Sequence, residues 1–152
     1  MKRMIIGVVG AGEADAETFR MAEETGRLIA RHGMLLVCGG LGGVMEAAAR
    51  GAKEAGGTTV GILPEADRSG ANPYIDIPIA TGFGDGRNVV IVRTADLLIA
   101  VGGAFGTLSE IAYARKMEKP VIGIASWEIP GMRKAATPAE AVKMALDILG
   151  RT

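Results

Sequence analysis

Three glycine-rich segments hold most of the residues in this chain that could do chemistry. They are Gly10-Ala-Gly12, Gly39 to Gly43, and Gly102 to Gly106, and two of them run directly into helical sequence. The first turn of a helix has backbone N–H groups without an intrahelical acceptor and the positive end of the peptide dipole. Glycine lets an anion come close to that backbone. The chemistry implied is the holding of a phosphate. The candidate binding positions are Gly39, Gly40 and Gly43 in the middle segment, with Gly103, Ala104, Phe105, Gly106 and Thr107 in the last. Thr107 adds a hydroxyl and Glu110 a carboxyl. Arg87 and Arg93 offer cations on an apolar stretch just upstream of the last glycine turn.

Each feature also has a purely structural reading. Gly10-Ala-Gly12 does not complete GxGxxG, because Asp15 stands at the last position, and alone it reads as a tight turn. No GxxxxGK[ST] run occurs, which argues against a P-loop NTPase. Gly39 to Gly43 fits phosphate binding or close helix–sheet packing equally well. Thr107 and Glu110 have the spacing of a capping box, with Thr107 as N-cap, and such a cap is compatible with a ligand. Arginines on a short helix are ordinarily solvated surface. His32 and Cys38 read as structural, His32 sitting at a helix C-terminus where a cationic ring suits the dipole. Trp127, the only tryptophan, reads as packing.

These residues must be positioned by alternating strands and helices. Apolar runs at Met4–Val9, Met34–Val37, Thr58–Leu63 and Asp96–Val101 predict strands buried on both faces, as in parallel sheets. Tyr74–Ala80 predicts a further strand, which Pro78 pushes to an edge, and Pro120–Ile124 is expected to be the last. Helices are predicted over Ala14–Arg31, Gly43–Ala55, Arg87–Thr94 and Gly106–Met117. A final one should start at Thr137-Pro138, an N-cap and N1 pair, and run to Leu149. Gly33 is placed to close the first helix. The pattern predicts an α/β fold: a single Rossmann-like domain over residues 1–152, with a mostly parallel sheet and helices on both faces. No repeat, low-complexity tract or interdomain linker interrupts it.

Composition narrows the function. With 152 residues the chain is of single-domain size and needs no disulfide or metal to fold. Lys plus Arg equals Asp plus Glu at 17 each, so no basic excess exists to hold a nucleic-acid polymer. One cysteine and one histidine leave no Cys/His metal cluster, and a reducing cytoplasm is expected. The apolar stretch after Met1-Lys2-Arg3 is too short for a signal sequence or membrane span. Glycine, at 23 of 152 residues, is about twice its usual share and clusters at the turns.

The run Gly102-Gly-Ala-Phe-Gly-Thr-Leu-Ser-Glu110 resembles the PGGxGTxxE motif of the LONELY GUY (LOG) proteins, cytokinin-activating phosphoribohydrolases often misnamed lysine decarboxylases. Cys38-Gly-Gly-Leu-Gly-Gly-Val-Met45 resembles their GGGxxGLM turn, and Arg87 and Arg93 stand where the family's arginines stand. Several positions depart from it: Gly102 replaces a proline, Ala104 and Cys38 each replace a glycine, Asn88 a lysine, and Gly86 an acid. In these respects, and in its shorter length, the chain is more similar to the molybdenum-cofactor carrier branch of the superfamily. No lysine lies in a glycine turn to serve a decarboxylase.

The resemblance implies one of two functions. The first is hydrolysis of the N-glycosidic bond of a nucleoside 5′-monophosphate through an oxocarbenium-like transition state. Glu110 would then stabilise the ribose charge or activate water, and Arg87 would hold the phosphate or assist base departure. The second is non-catalytic carriage of molybdenum cofactor or a related phosphorylated cofactor in the same cradle. In both cases the partner is a small phosphorylated molecule, no resident cofactor is required, and a homodimer or higher homo-oligomer is expected.

Overall fold

The computed structural model describes residues 2–150; Met1, Arg151 and Thr152, the ends of the expected domain, lie outside the described residues. The chain runs β1 (Ile5–Val9), α1 (Ala16–Arg31), β2 (Leu35–Cys38), α2 (Val44–Glu54), β3 (Thr59–Leu63), β4 (Ile77–Ala80) and α3 (Arg87–Thr94). It continues through β5 (Leu97–Val101), α4 (Phe105–Lys116), β6 (Val121–Ile124), β7 (Arg133–Ala135) and α5 (Pro138–Ile148). The seven strands form one sheet in the order β4-β3-β2-β1-β5-β6-β7, and every neighbouring pair is parallel. β1 lies between β2 and β5, so the strand order reverses there. A crevice opens at such a reversal beyond the carboxyl ends of the strands.

Alternation along the central strands supplies both faces. Ile6 and Val8 of β1, with Leu97, Ile99 and Val101 of β5, point into a core shared with α1, α2 and α5. Val9, Leu98 and Ala100 point into a second core shared with α3 and α4. Burial on both sides explains why these strands lack a polar alternation.

α1 begins at Asp15, whose carboxylate accepts from Thr18 N at 2.8 Å, and Gly33 follows its end at φ +74°. It crosses α2 at two glycines. A Cβ on Gly26 would stand 1.9 Å from the Ala48 carbonyl oxygen, and one on Gly51 1.8 Å from that of Glu23. The two backbones therefore touch directly. Arg27 and Arg50 tie the rim of this crossing to Glu23, Glu24 and Glu54.

β4 takes the edge position that Pro78 predicts, although it starts at Ile77 and not at Tyr74. Asn72 holds the loop before it, donating from Nδ2 to Leu41 O at 2.9 Å, and Asp76 accepts from Thr59 N and Lys53 Nζ. Gly84–Gly86 forms a short 3₁₀ turn between β4 and α3. β6 is not the last strand. β7 adds a three-residue edge strand whose exposed Arg133 and Lys134 give no apolar signal. α5 starts as predicted, with Thr137 accepting from Glu140 N at 3.1 Å.

Candidate functional site

Three connections meet above the carboxyl ends of β1, β2 and β5. Gly10-Ala-Gly12 leaves β1, Gly39 to Gly43 leaves β2, and Gly102 to Ala104 leaves β5. The first two interlock: Val44 N donates to Ala11 O at 3.0 Å, and a Cβ on Gly10 would lie 2.6 Å from the Val44 side chain. A Cβ on Gly43, which holds φ +62°, would lie 2.3 Å from Ala11 O. Gly40 is at φ +77° against Leu63. Gly40 and Gly43 thus have packing and backbone reasons to be glycine.

Between these turns lies a cavity of about 230 Å³. Gly39, Arg87, Ala104, Gly106, Thr107 and Glu110 line it together, along with Gly10, Ala11, Gly12, Met45, Asp85 and Asn88. Gly40, Gly43, Gly103 and Phe105 are not among the lining residues. Arg93 is exposed at the far end of α3, one full helix length from Arg87. Asp85 was not a candidate from sequence; Asn88 stood out only as a departure from the family's lysine, Met45 only within the resemblance of the second turn, and Gly10-Ala-Gly12 read alone as a tight turn.

α4 supplies the polar floor. Gly102 at φ +59° and Gly103 at φ +126° turn the chain out of β5, and Gly103 also makes room for Thr107, whose side chain would stand 2.6 Å from a Cβ there. The helix starts at Phe105 with Ala104 as N-cap, so Thr107 and Glu110 are not a capping box; Thr107 lies on the third residue, inside the first turn. No side chain caps this end, and Leu108 N is the first amide to reach Ala104 O, at 3.1 Å. The amides of Phe105, Gly106 and Thr107 are left as donors. Gly106 has open space where a Cβ would go and no positive φ, so neither packing nor backbone conformation calls for glycine there.

The loop after β6 braces the same turn. Ser126 Oγ donates to Gly102 O at 2.5 Å and Trp127 Nε1 to Ala104 O at 3.1 Å. The Trp127 ring lies 6.0 Å from that of Phe105, which is 80% exposed. Trp127 therefore packs, as its sequence context suggests, and does so against the turn itself.

Arg87 and Glu110 are both 7% exposed. Arg87 is anchored by protein acceptors: Nε donates to Ile62 O at 2.9 Å, Nη2 to Gly39 O at 3.5 Å, and Nη1 to Asn88 Oδ1. A Cβ on Gly39 would lie 2.8 Å from Nη2, so Gly39 is what lets the guanidinium lie across the ends of β2 and β3. Glu110 makes no hydrogen bond or ion pair among the described residues. Burial pushes its carboxyl up to about 8, and the positive field of Arg87 offsets only part of that. Cys38 lies under the site as a buried thiol, pushed up to about 12 by desolvation, and acts as a small apolar residue. No group of His, Cys, Asp and Glu among the described residues could hold a metal ion, and no described helix is long and apolar enough to cross a membrane.

Comparisons with known proteins converge on this architecture. The SLOG cluster4 family matches residues 3–147. A protein of uncharacterised function from Archaeoglobus fulgidus is 52% identical over 97% of both chains. The molybdenum cofactor binding protein of Rippkaea orientalis superposes with a TM-score of 0.94 at 38% identity, covering 98% of this chain and 99% of that one. The cytokinin riboside 5′-monophosphate phosphoribohydrolase of Mycobacterium tuberculosis is 33% identical over 77% of this chain and 67% of its own length.

Proposed function

The chain belongs to the SLOG cluster4 family, and from that premise we propose that it binds a phosphate-bearing cofactor of the molybdenum-cofactor type without cleaving it. The observation that carries the reading is the N-terminus of α4: uncapped, open at Gly106, and facing a cavity that also holds Thr107, Arg87 and a buried Glu110. Amides and dipole hold the phosphate. The Thr107 hydroxyl adds a donor, and Arg87 adds positive field from its fixed place. The cavity is sized for the phosphate end of such a molecule, and the rest extends along the open carboxyl edge of the sheet. The likeness to the Rippkaea orientalis protein over nearly the whole chain supports the same ligand class.

Hydrolysis of a nucleoside 5′-monophosphate is the second reading. It is favoured by the Mycobacterium tuberculosis relative and by Arg87 and Glu110 sharing one cavity. Two features weigh against it. Three of the five Arg87 N–H donors go to Ile62, Asn88 and Gly39, which fixes the guanidinium away from a substrate-following position. Burial, which raises Glu110 to about 8, disfavours the carboxylate that would stabilise an oxocarbenium ion or activate water, and leaves it only the role of proton donor to the base.

One experiment separates the two. Molybdenum cofactor is added to the purified protein, and bound molybdenum and phosphate are counted after gel filtration; parallel samples receive AMP and are assayed for free adenine. Stoichiometric cofactor with no adenine supports carriage. Adenine release that disappears in Glu110→Gln establishes hydrolysis instead. We place the protein in the cytoplasm, where the Cys38 thiol stays reduced, and propose that it works as a homodimer or larger homo-oligomer.

A further inference from the structure

We infer that Asn88 is a positioning residue: by accepting Nη1 of Arg87 it latches the guanidinium against the ends of β2 and β3, and so keeps it from pairing with the Glu110 carboxyl. The inference rests on the phosphate-binding reading for its consequence, though not for its geometry.

Among the described residues, Arg87 is the only cation lining the cavity. A buried guanidinium beside a buried carboxylate ordinarily forms a bidentate pair. Here that pair is absent among the described residues. Each Arg87 nitrogen is directed to another acceptor: Nε to Ile62 O, Nη2 to Gly39 O, and Nη1 to Asn88 Oδ1. Two of these acceptors are main-chain carbonyls of neighbouring strands, fixed by the sheet. The third is the Asn88 side chain, itself only 8% exposed, and it is the one that a substitution can remove. Without it, Nη1 loses that acceptor, while Glu110 lines the same cavity and already lies in the positive field of Arg87.

The groups facing Glu110 bear this out. Arg87 comes from α3, Asp85 from the preceding turn, and the neutral Cys38 thiol from β2, while α2 presents Met45 and the β1 turn carries no charge. None offers Glu110 a hydrogen bond. Desolvation then governs the carboxyl and keeps its proton on. A protonated carboxyl can donate to a phosphate oxygen, whereas a carboxylate beside the same phosphate would repel it. The site is therefore matched to a phosphomonoester dianion at neutral pH and opposed to it at alkaline pH.

The test reads Glu110 directly. Protein labelled with ¹³C at glutamate carboxyls is titrated without ligand, the Glu110 resonance being assigned by its loss in Glu110→Gln. The expected wild-type midpoint is near 8. In Asn88→Ala the midpoint falls by about one pH unit or more as the freed guanidinium reaches the carboxyl. In Asn88→Asp, which keeps an acceptor for Nη1, it stays at or above the wild-type value. A wild-type midpoint in the ordinary carboxylate range overturns the inference with no variant needed. An unchanged midpoint in folded Asn88→Ala overturns it as well, because a merely structural asparagine would leave the titration where it was.

Calorimetry with inorganic phosphate then tests the consequence. Wild-type affinity should fall as pH rises through about 8, and that fall should begin at lower pH in Asn88→Ala. If phosphate binds nowhere in the range while the carboxyl titrates as expected, the binding reading fails and the role of Asn88 stands.

Discussion

Ionising Glu110 inside the folded protein means placing a charge where no hydrogen bond receives it. The folded group titrates near 8 and the unfolded one near 4.5, so between those values the native state holds more protons. Stability must then fall as pH rises through that window, at up to about 1.4 kcal/mol per pH unit for this one group. Below pH 4.5 the residue contributes no such penalty, and above about 8 the penalty is constant. Glu110→Gln removes it. Urea denaturation should find the variant no more stable than wild type near pH 5 and more stable by a few kcal/mol near pH 8. A pH-independent difference would mean that the carboxyl is not buried in this way. Arg87 shows the opposite logic, since its value to the fold is the three acceptors it satisfies. Arg87→Ala removes the donors to Ile62 O and Gly39 O at the ends of β2 and β3, and should cost about 2 kcal/mol or more in the same measurement.

Glycines at element junctions fall into two groups that substitution should separate. Gly26 and Gly51 join α1 to α2 by backbone contact, and a methyl at either would press within 2 Å of a carbonyl oxygen. Gly26→Ala and Gly51→Ala should each destabilise by about 3 kcal/mol, at the upper end of overpacking costs, despite alanine's higher helix propensity. Melting temperatures that rise instead would show that the crossing is loose. Gly106 belongs to the other group. It lies in the first turn of α4 with open space around it, so Gly106→Ala should leave stability unchanged or raise it by up to about 1 kcal/mol. Gly106 nevertheless lines the cavity, and if the added methyl crowds the phosphate there, affinity should drop about tenfold or more. Stability and binding moving in opposite directions in one variant would mark a glycine kept for ligand access. Parallel losses would mark a structural one.

At the scale of the whole molecule, the sheet and its two helical layers were legible because β1 and β5 are apolar throughout and because strand and helix alternate. β7 was hidden, since three residues with two exposed cations carry no strand signal on their own. The cavity was legible through Thr107, Glu110 and Arg87, whose motif places them near one glycine turn. The Arg87–Gly39 contact joins positions 48 apart, and only the β1 reversal brings them together. Phe83 is 66% exposed beside Asp85, Phe105 is 80% exposed beside Ala104, and Tyr113 is 39% exposed further along α4. We propose that a second copy covers these aromatics, since a chain with zero formal net charge at pH 7 offers it little electrostatic resistance. Light scattering at micromolar concentration should therefore return a dimer or larger species. An apolar contact of this kind should persist at high ionic strength, where a contact made of ion pairs would weaken. Phe105→Asp combined with Tyr113→Asp should yield monomers with an unchanged circular dichroism spectrum. A monomeric wild type would refute the assembly and leave Phe105 as part of the open rim of the site.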